Sequence, residues 1–236
     1  MIERGELLRA YALDDRTSPR VRMNFVASAD GAGTLGGRSG TLGGATDRAL
    51  MEVLRAMTDA IVVGAGTVRT EGYGGVRPPA DEVAWRRAGG LTDAPRLVVV
   101  SRSLRLTPGD PVFAEAASRP IVVTSGVADA RLRAQIGEVA DVLVCGEDAV
   151  DLAAMTAALA EEGMPQLLCE GGPHLFGSLL DAGLVDEVCL TLSPRVVGGR
   201  AGRITAGAAE ADRRMELRSV LHDDEGFVFL RYARAR

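Results

Sequence analysis

The chain has 236 residues, 27 basic against 32 acidic side chains, a net charge of −5 and 47% apolar content. That balance supplies a sizeable core and, with no basic stripe, argues against a nucleic-acid partner. Its apolar runs fall short of the ~20 residues a membrane helix needs, and MIERGELLRAYALDDRTSPR has no signal-peptide core, so a cytoplasmic protein without a membrane partner is expected.

VRMNFVA (21–27) reads as a strand and leads into a glycine-rich loop, ADGAGTLGGRSGTLGG (29–44). Thr46-Asp47 opens a helix with apolar residues at Leu50, Val53, Leu54 and Met57. DAIVVG (59–64), RLVVV (96–100), PIVVT (120–124), DVLVC (141–145) and QLLCE (166–170) read as buried strands. Helical patterns cover 128–138, 151–162 and 172–182. The stretch 70–95 is rich in Gly and Pro and lacks a period, so it reads as a long loop of functional kind. VDEVCLTLSP (185–194), RMELRSVLHD (214–223) and GFVFLRYAR (226–234) are strands. The last two are joined at Asp224-Glu225 as an antiparallel hairpin. The alternation predicts an α/β protein with a mainly parallel central sheet and helices on both faces. No linker divides it, and one domain is expected.

Several chemistries are excluded by absence. The sequence contains no lysine, which removes Schiff-base chemistry and a P-loop. Any anion must be held by arginine or by backbone N–H groups. His174 and His222 are the only histidines, and Cys145, Cys169 and Cys189 form no C-x-x-C pair, so no metal site is expected. The cysteines, each in or at the end of an apolar run, read as buried reduced thiols.

In an open α/β sheet, ligands bind beyond the carboxyl ends of the strands. Four features fall there. GAGTVR (64–69) offers Gly64, Gly66 and Thr67; SRSLR (101–105) offers Ser101 and Arg102, suited to the 2′-phosphate that separates NADPH from NADH; Thr124-Ser125 offers hydroxyls. The fourth, LLCEGGPHLFGSLL (167–180), places Glu170, Gly171 and Gly172 where a strand becomes a helix, whose N-terminal N–H groups suit a pyrophosphate. Backbone N–H groups, hydroxyls and an arginine together point to a dinucleotide. Each feature also has a structural reading: GAGTVR as a turn, Glu170 as a helix cap, Arg55 as a solvated helix residue, Asp30-Gly31 as a turn dipeptide.

NFVASADG (24–31), VLRAMTDAIVVGAGTV (53–68), RLVVVSRSLR (96–105), LLCEGGPHLFGSLLDAGLVDEVCLTLSPRVVGG (167–199) and the closing hairpin occur in an order that resembles the pyrimidine reductase of riboflavin biosynthesis, the RibD C-terminal reductase family. The most specific part runs from EGGP through LVDE to Pro194, Gly198 and Gly199. The resemblance implies a dihydrofolate-reductase-like fold over residues 21–236, behind an N-terminal extension at 1–20. It implies a stand-alone, homodimeric NADPH-dependent reductase that delivers hydride to ribose C1 of a phosphoribosylamino-pyrimidine of the 5-amino-6-(5-phosphoribosylamino)uracil type. Cofactor contacts would fall on Ala27, Thr67, Glu71, Ser101 and the loop Gly172 to Ser178, which includes Pro173, His174, Leu175 and Phe176. Gly64, Gly66, Arg102, Thr124 and Gly171 join them from the strand-end argument. Substrate contacts would fall on Ser39, Arg55, Arg77 and Glu170. Arg55 and Arg77 would pair with the phosphate and Glu170 with the pyrimidine edge. Asp30, beside the reacting carbon, would stabilise positive charge at nitrogen or relay a proton. Two departures stand out. Ala32 replaces the family's basic residue, and Arg69-Thr70-Glu71-Gly72-Tyr73-Gly74 replaces its Asp-Asp-Pro-x-Leu. The cofactor half thus matches better than the substrate half, which leaves two alternatives: reduction of another small substrate such as a dihydropterin, or an NADPH-binding sensor without catalysis.

Overall fold

A computed structural model describes residues 2–235. Among them the chain forms, in order, α1 (Arg4–Ala10), β1 (Arg20–Ser28), α2 (Ala45–Ala56), β2 (Ala60–Gly64), α3 (Ala65–Glu71), α4 (Ala80–Ala88), β3 (Arg96–Val100), α5 (Pro111–Ala114) and β4 (Ile121–Thr124). It continues with α6 (Ala130–Gly137), β5 (Asp141–Val144), α7 (Leu152–Glu161), β6 (Gln166–Cys169), α8 (Pro173–Asp181), β7 (Glu187–Ser193), β8 (Met215–His222) and β9 (Val228–Arg234). The chain divides into two compact units. The first takes the chain up to Arg16, Arg20–Met57 and Leu168 onward; the second takes Thr17–Pro19 and Thr58–Leu167.

In the second unit the strands run β5-β4-β3-β2, every neighbouring pair parallel. Parallel neighbours need crossovers, and helices supply them. Ile61, Val63, Leu97, Val99 and Val122 pack in one cluster with Val68, Leu104, Phe113 and Ile136. Val62, Val98 and Val123, which point the other way along the same strands, are equally buried. Burial on both faces is why these strands are continuous apolar runs. Each such side chain contributes about 1.5–3 kcal/mol. Leu104 takes a left-handed φ of 48°, a conformation costly for a residue with a Cβ, and its buried side chain in that cluster offsets the cost.

In the first unit β1 pairs in parallel with β7, in the register Arg22↔Glu187 to Ser28↔Ser193. β7 then pairs antiparallel with β9, and β9 with β8. The hairpin turn is held by Asp223, whose Oδ1 accepts from the N–H groups of Glu225 and Phe227 at 3.0 Å each. The α/β class, the mainly parallel sheet and the C-terminal antiparallel hairpin are therefore as expected.

Four local expectations are corrected. GAGTVR is no turn: Gly64 is the N-cap of α3, and Gly72 closes that helix with φ 68°. The stretch 70–95 contains α4, whose Arg86 is fully buried and donates to the carbonyls of Thr58 (2.8 Å) and Thr92 (2.7 Å). Thr46-Asp47 lies inside α2, which starts at Ala45 behind Gly44. DVLVC is a partly exposed terminal strand, with Val144 45% exposed, because β5 has a neighbour on one side only within its unit. The short helices α1 and α5 carry too few residues for a readable period. Leu7 of α1 and the adjoining Tyr11 are nevertheless fully buried.

Candidate active site

Asp30, Arg55 and Glu170 all belong to the first unit. Asp30 follows β1 in a turn closed by the bond from Gly31 N–H to Ser28 O (2.9 Å), with Gly31 at φ 89°, where glycine is favoured. Ser28 Oγ donates to Asp30 Oδ1 at 2.5 Å and itself accepts from Ala32 N–H at 2.9 Å. Val197 N–H reaches Oδ1 at 3.1 Å and Gly198 N–H reaches Oδ2 at 2.7 Å. The Ser28 hydroxyl, then these two N–H groups, hold the carboxyl down to about 2. Asp30 is therefore ionised throughout the neutral range. Of its two expected roles, stabilising positive charge fits this state, and storing a proton does not. The Pro194 to Gly199 motif acquires a physical meaning here: Gly198 and Gly199 take φ 65° and 70° in succession, and Gly198 points its N–H at Asp30.

Arg55 lies in the last turn of α2, and Glu170 follows β6. They meet fork to fork, Nε to Oε1 and Nη2 to Oε2, both at 2.6 Å. The Glu170 side chain is 7% exposed and that of Arg55 24%. Glu170 is thus held by a cation. It stands two residues before Gly172, the N-cap of α8. The Gly171–Gly172 peptide is cis. Gly171 has φ 108°, and a Cβ there would sit 3.3 Å from the Phe25 ring, which stacks on Phe176 at 4.9 Å between centroids. Only glycine meets both constraints. Pro173 at the first helical position has no N–H to lose, while the uncapped first turn presents N–H groups that suit an anion. Leu175 and Phe176 are buried, so their backbone rather than their side chains serves that turn. His174 is exposed, and its carbonyl accepts from Ser178 Oγ at 3.0 Å. Ala27 is buried on β1, and Ser39 is half-buried, its carbonyl accepting from Leu42 N–H at 2.9 Å.

A segment that the sequence reading followed only as far as Gly199 joins these parts. Between residues 195 and 213 the chain accepts from Ala29 N–H at Arg195 O and from Gly33 N–H at Gly202 O, both 2.8 Å. It donates from Ala206 N–H to Pro173 O at 3.0 Å, and Arg213 reaches Asp181 of α8 at 3.0 Å. A Cβ on Gly177 would lie 2.1 Å from Ala206 O, so this glycine exists to admit the segment. Its only readable signal was the run of glycines at 198, 199, 202 and 207.

In the second unit Gly64, Gly66, Thr67 and Glu71 lie along α3 and its cap, with Gly66 exposed and no heavy atom within 4 Å of its missing Cβ. Ser101 is buried at the end of β3 and Arg102 is exposed. Thr124 and Ser125 are fully buried at the end of β4, and neither hydroxyl has a protein partner. Such hydroxyls are costly to bury unless something bonds them. Together with Ser101 they fit the polar groups of a nucleotide cofactor. Arg77 Nε donates to Glu115 O at 2.7 Å, across a close approach in which a Cβ on Gly75 would be 2.1 Å from the Glu115 backbone. The altered loop at 69–77 is thereby fastened to its own unit. No helix among the described residues is long and apolar enough to cross a membrane.

Residues 19–229 match the family model described as RibD C-terminal domain. The chain is 30% identical over 182 residues to a 2,5-diamino-6-ribosylamino-4(3H)-pyrimidinone 5′-phosphate reductase of Archaeoglobus fulgidus, covering 77% of this chain and 83% of that one. It is 33% identical over 185 residues to the protein of the same name from Methanothermobacter thermautotrophicus, covering 78% and 82%. Among solved structures, a pyrimidine reductase-like protein from Corynebacterium diphtheriae superposes with a TM-score of 0.87 at 28% identity, covering 98% of each chain.

Proposed function

The chain belongs to the RibD C-terminal domain family, and on that premise we propose that it is an NADPH-dependent oxidoreductase of riboflavin biosynthesis that reduces a phosphorylated ribosylamino-pyrimidine. The observation that carries this reading is the family match over residues 19–229, a span that contains every residue assigned to the site. The cofactor supplies the hydride that ends on ribose C1. Asp30 is the residue proposed to work at that carbon. Fixed by three donors and ionised, it stabilises the positive charge that an imine-like nitrogen carries as its neighbouring carbon accepts hydride. Glu170, an acceptor-only group, takes hydrogen bonds from the amino-substituted pyrimidine edge. Ser39 contributes to substrate binding in the same unit, and Arg77 in the second.

NADPH is proposed as the cofactor on two kinds of support, each within one unit. In the first unit it is the uncapped N-terminus of α8 at Gly171–Phe176, with Ala27 on β1. In the second it is the buried side chains of Ser101 and Thr124 at the ends of β3 and β4, with Arg102 next to Ser101 in the chain, and Gly64, Gly66, Thr67 and Glu71 along α3. We further propose a cytoplasmic homodimer. The three buried free cysteines suit a reducing compartment. β8, the last strand of its sheet, exposes Leu217 and Val220 by half. Light scattering on the purified protein tests the dimer.

The activity test supplies NADPH or NADH with each of two phosphoribosylamino-pyrimidines, the 2,5-diamino-pyrimidinone and the 5-amino-uracil. Loss of nicotinamide absorbance with either pyrimidine supports the reading, and a preference for NADPH supports the cofactor. Binding of NADPH without turnover of either substrate sinks it. The Asp30→Asn protein is expected to lose about 100-fold or more in kcat while NADPH still raises its melting temperature.

A further inference from the structure

We propose that Arg55 is a positioning residue, one that acts on the substrate through Glu170 instead of gripping the substrate phosphate itself. The inference rests on the reading of Glu170 as the pyrimidine contact. Its basis is the geometry of the pair. Recognition of a phosphate by arginine uses two parallel N–H bonds from one edge of the guanidinium. In Arg55 the Nε–Nη2 edge is committed to Glu170, with both bonds at 2.6 Å. The pair is neutral as a whole, so it offers little net attraction to a phosphate dianion.

Burial gives the same answer. Burying a carboxylate whose side chain is 7% exposed is costly without a cation beside it, and Arg55 is its salt-bridge partner. Both ends of the pair are rigidly mounted. Arg55 stands among Val53, Leu54 and Ala56, all at most 2% exposed, in the last turn of α2. Glu170 stands between Cys169, which is fully buried, and Gly171, which is buried. A fork-to-fork contact fixes the plane of the carboxylate as well as its position. It takes up two of the roughly four lone-pair positions of the group. A flat heterocycle with N–H donors on one edge is recognised best by an acceptor held in one plane. That is the service Arg55 performs.

The test is a double-mutant cycle of Arg55→Gln and Glu170→Gln, read as KM for the phosphorylated pyrimidine and for the same compound without its phosphate. Arg55→Gln and Glu170→Gln are each expected to raise KM about 10-fold or more. The double variant should stay within about twofold of Glu170→Gln alone, because the guanidinium has nothing left to orient. The effect of Arg55→Gln should be the same with and without the phosphate. Effects that multiply in the double variant, or an Arg55→Gln penalty that disappears with the dephosphorylated compound, would overturn the proposal in favour of a direct phosphate grip. A wild-type protein that turns over while Glu170→Gln leaves KM unmoved overturns the pyrimidine contact. A wild-type protein that does not turn over overturns the proposed function, and this inference with it. Melting temperatures of all four proteins check folding. Should Arg55→Gln not fold, Arg55→Lys replaces it, with KM expected between wild type and Glu170→Gln, since an ammonium keeps the charge and loses the fork.

Discussion

Replacing Glu187 by glutamine removes one negative charge from the centre of three arginines. Glu187 is 1% exposed and accepts from Arg20 Nη1 at 3.0 Å, Arg22 Nε at 2.9 Å, and Arg231 Nε and Nη2 at 3.1 and 2.8 Å. Burial alone would raise its pKa, but Arg231 and Arg22 hold it down, from the ordinary 4.5 to about 2. At 1.36 kcal/mol per pH unit that difference amounts to roughly 3 kcal/mol. Breaking a buried ion pair by removing one partner costs about 3–5 kcal/mol, which agrees. Glu187→Gln is therefore expected to lose about 3–5 kcal/mol of stability at neutral pH, or roughly 10 °C in Tm. Urea unfolding followed by far-ultraviolet circular dichroism measures it. The sign with pH follows from a folded-state value lying below the unfolded one. The stabilisation is complete above 4.5 and is lost as pH falls towards about 2. The gap between wild type and variant should thus be constant from neutral pH down to about 5 and narrow below it. A variant within about 1 kcal/mol of wild type at pH 7, or a gap that does not narrow in acid, would refute the reasoning.

Thr124→Val removes a buried hydroxyl that has no protein partner. It should stabilise the cofactor-free protein by about 1 kcal/mol while weakening NADPH about 3–10-fold by calorimetry. Gly177→Ala drives a methyl into Ala206 O. It should cost about 1–3 kcal/mol and speed proteolytic cleavage between 200 and 213. Burial raises the Asp47 carboxyl above its ordinary 3.8, although Thr191 and Arg48 pull it back. A raised acid destabilises the fold above its ordinary value. Asp47→Asn should therefore raise Tm at pH 7, and the gain should vanish below about pH 3.8. Because Asp30 is held down to about 2, the kcat–pH profile should show no limb from it between pH 4 and 8; a limb in that range that Asp30→Asn abolishes would contradict its ionised state.

Local order along the chain was enough to place the parallel strands. IVV, LVVV and IVVT are apolar throughout because both faces of these strands are buried, and that pattern is visible one residue at a time. The glycine pair after β6 was legible for a similar reason: φ above zero at Gly171 and an uncapped helix start leave a compositional mark. Where folding joins residues far apart in the chain, the sequence was silent. Arg55 and Glu170 each read as an isolated charged group, and nothing in their 115-residue separation says that they neutralise each other. Asp30 read as a turn residue or a catalyst; the Ser28 hydroxyl nearby and the N–H groups of Val197 and Gly198, more than 160 residues on, make it a fixed anion, and the distant pair left no mark in the sequence. Glu187 and its three arginines belong to β1, β7 and β9, and strand register alone brings them together. Composition and periodicity report what one residue does for its own neighbourhood in the chain. Charge state, and with it the chemistry a side chain can perform, depends on a few ångströms of distance that only the tertiary structure sets.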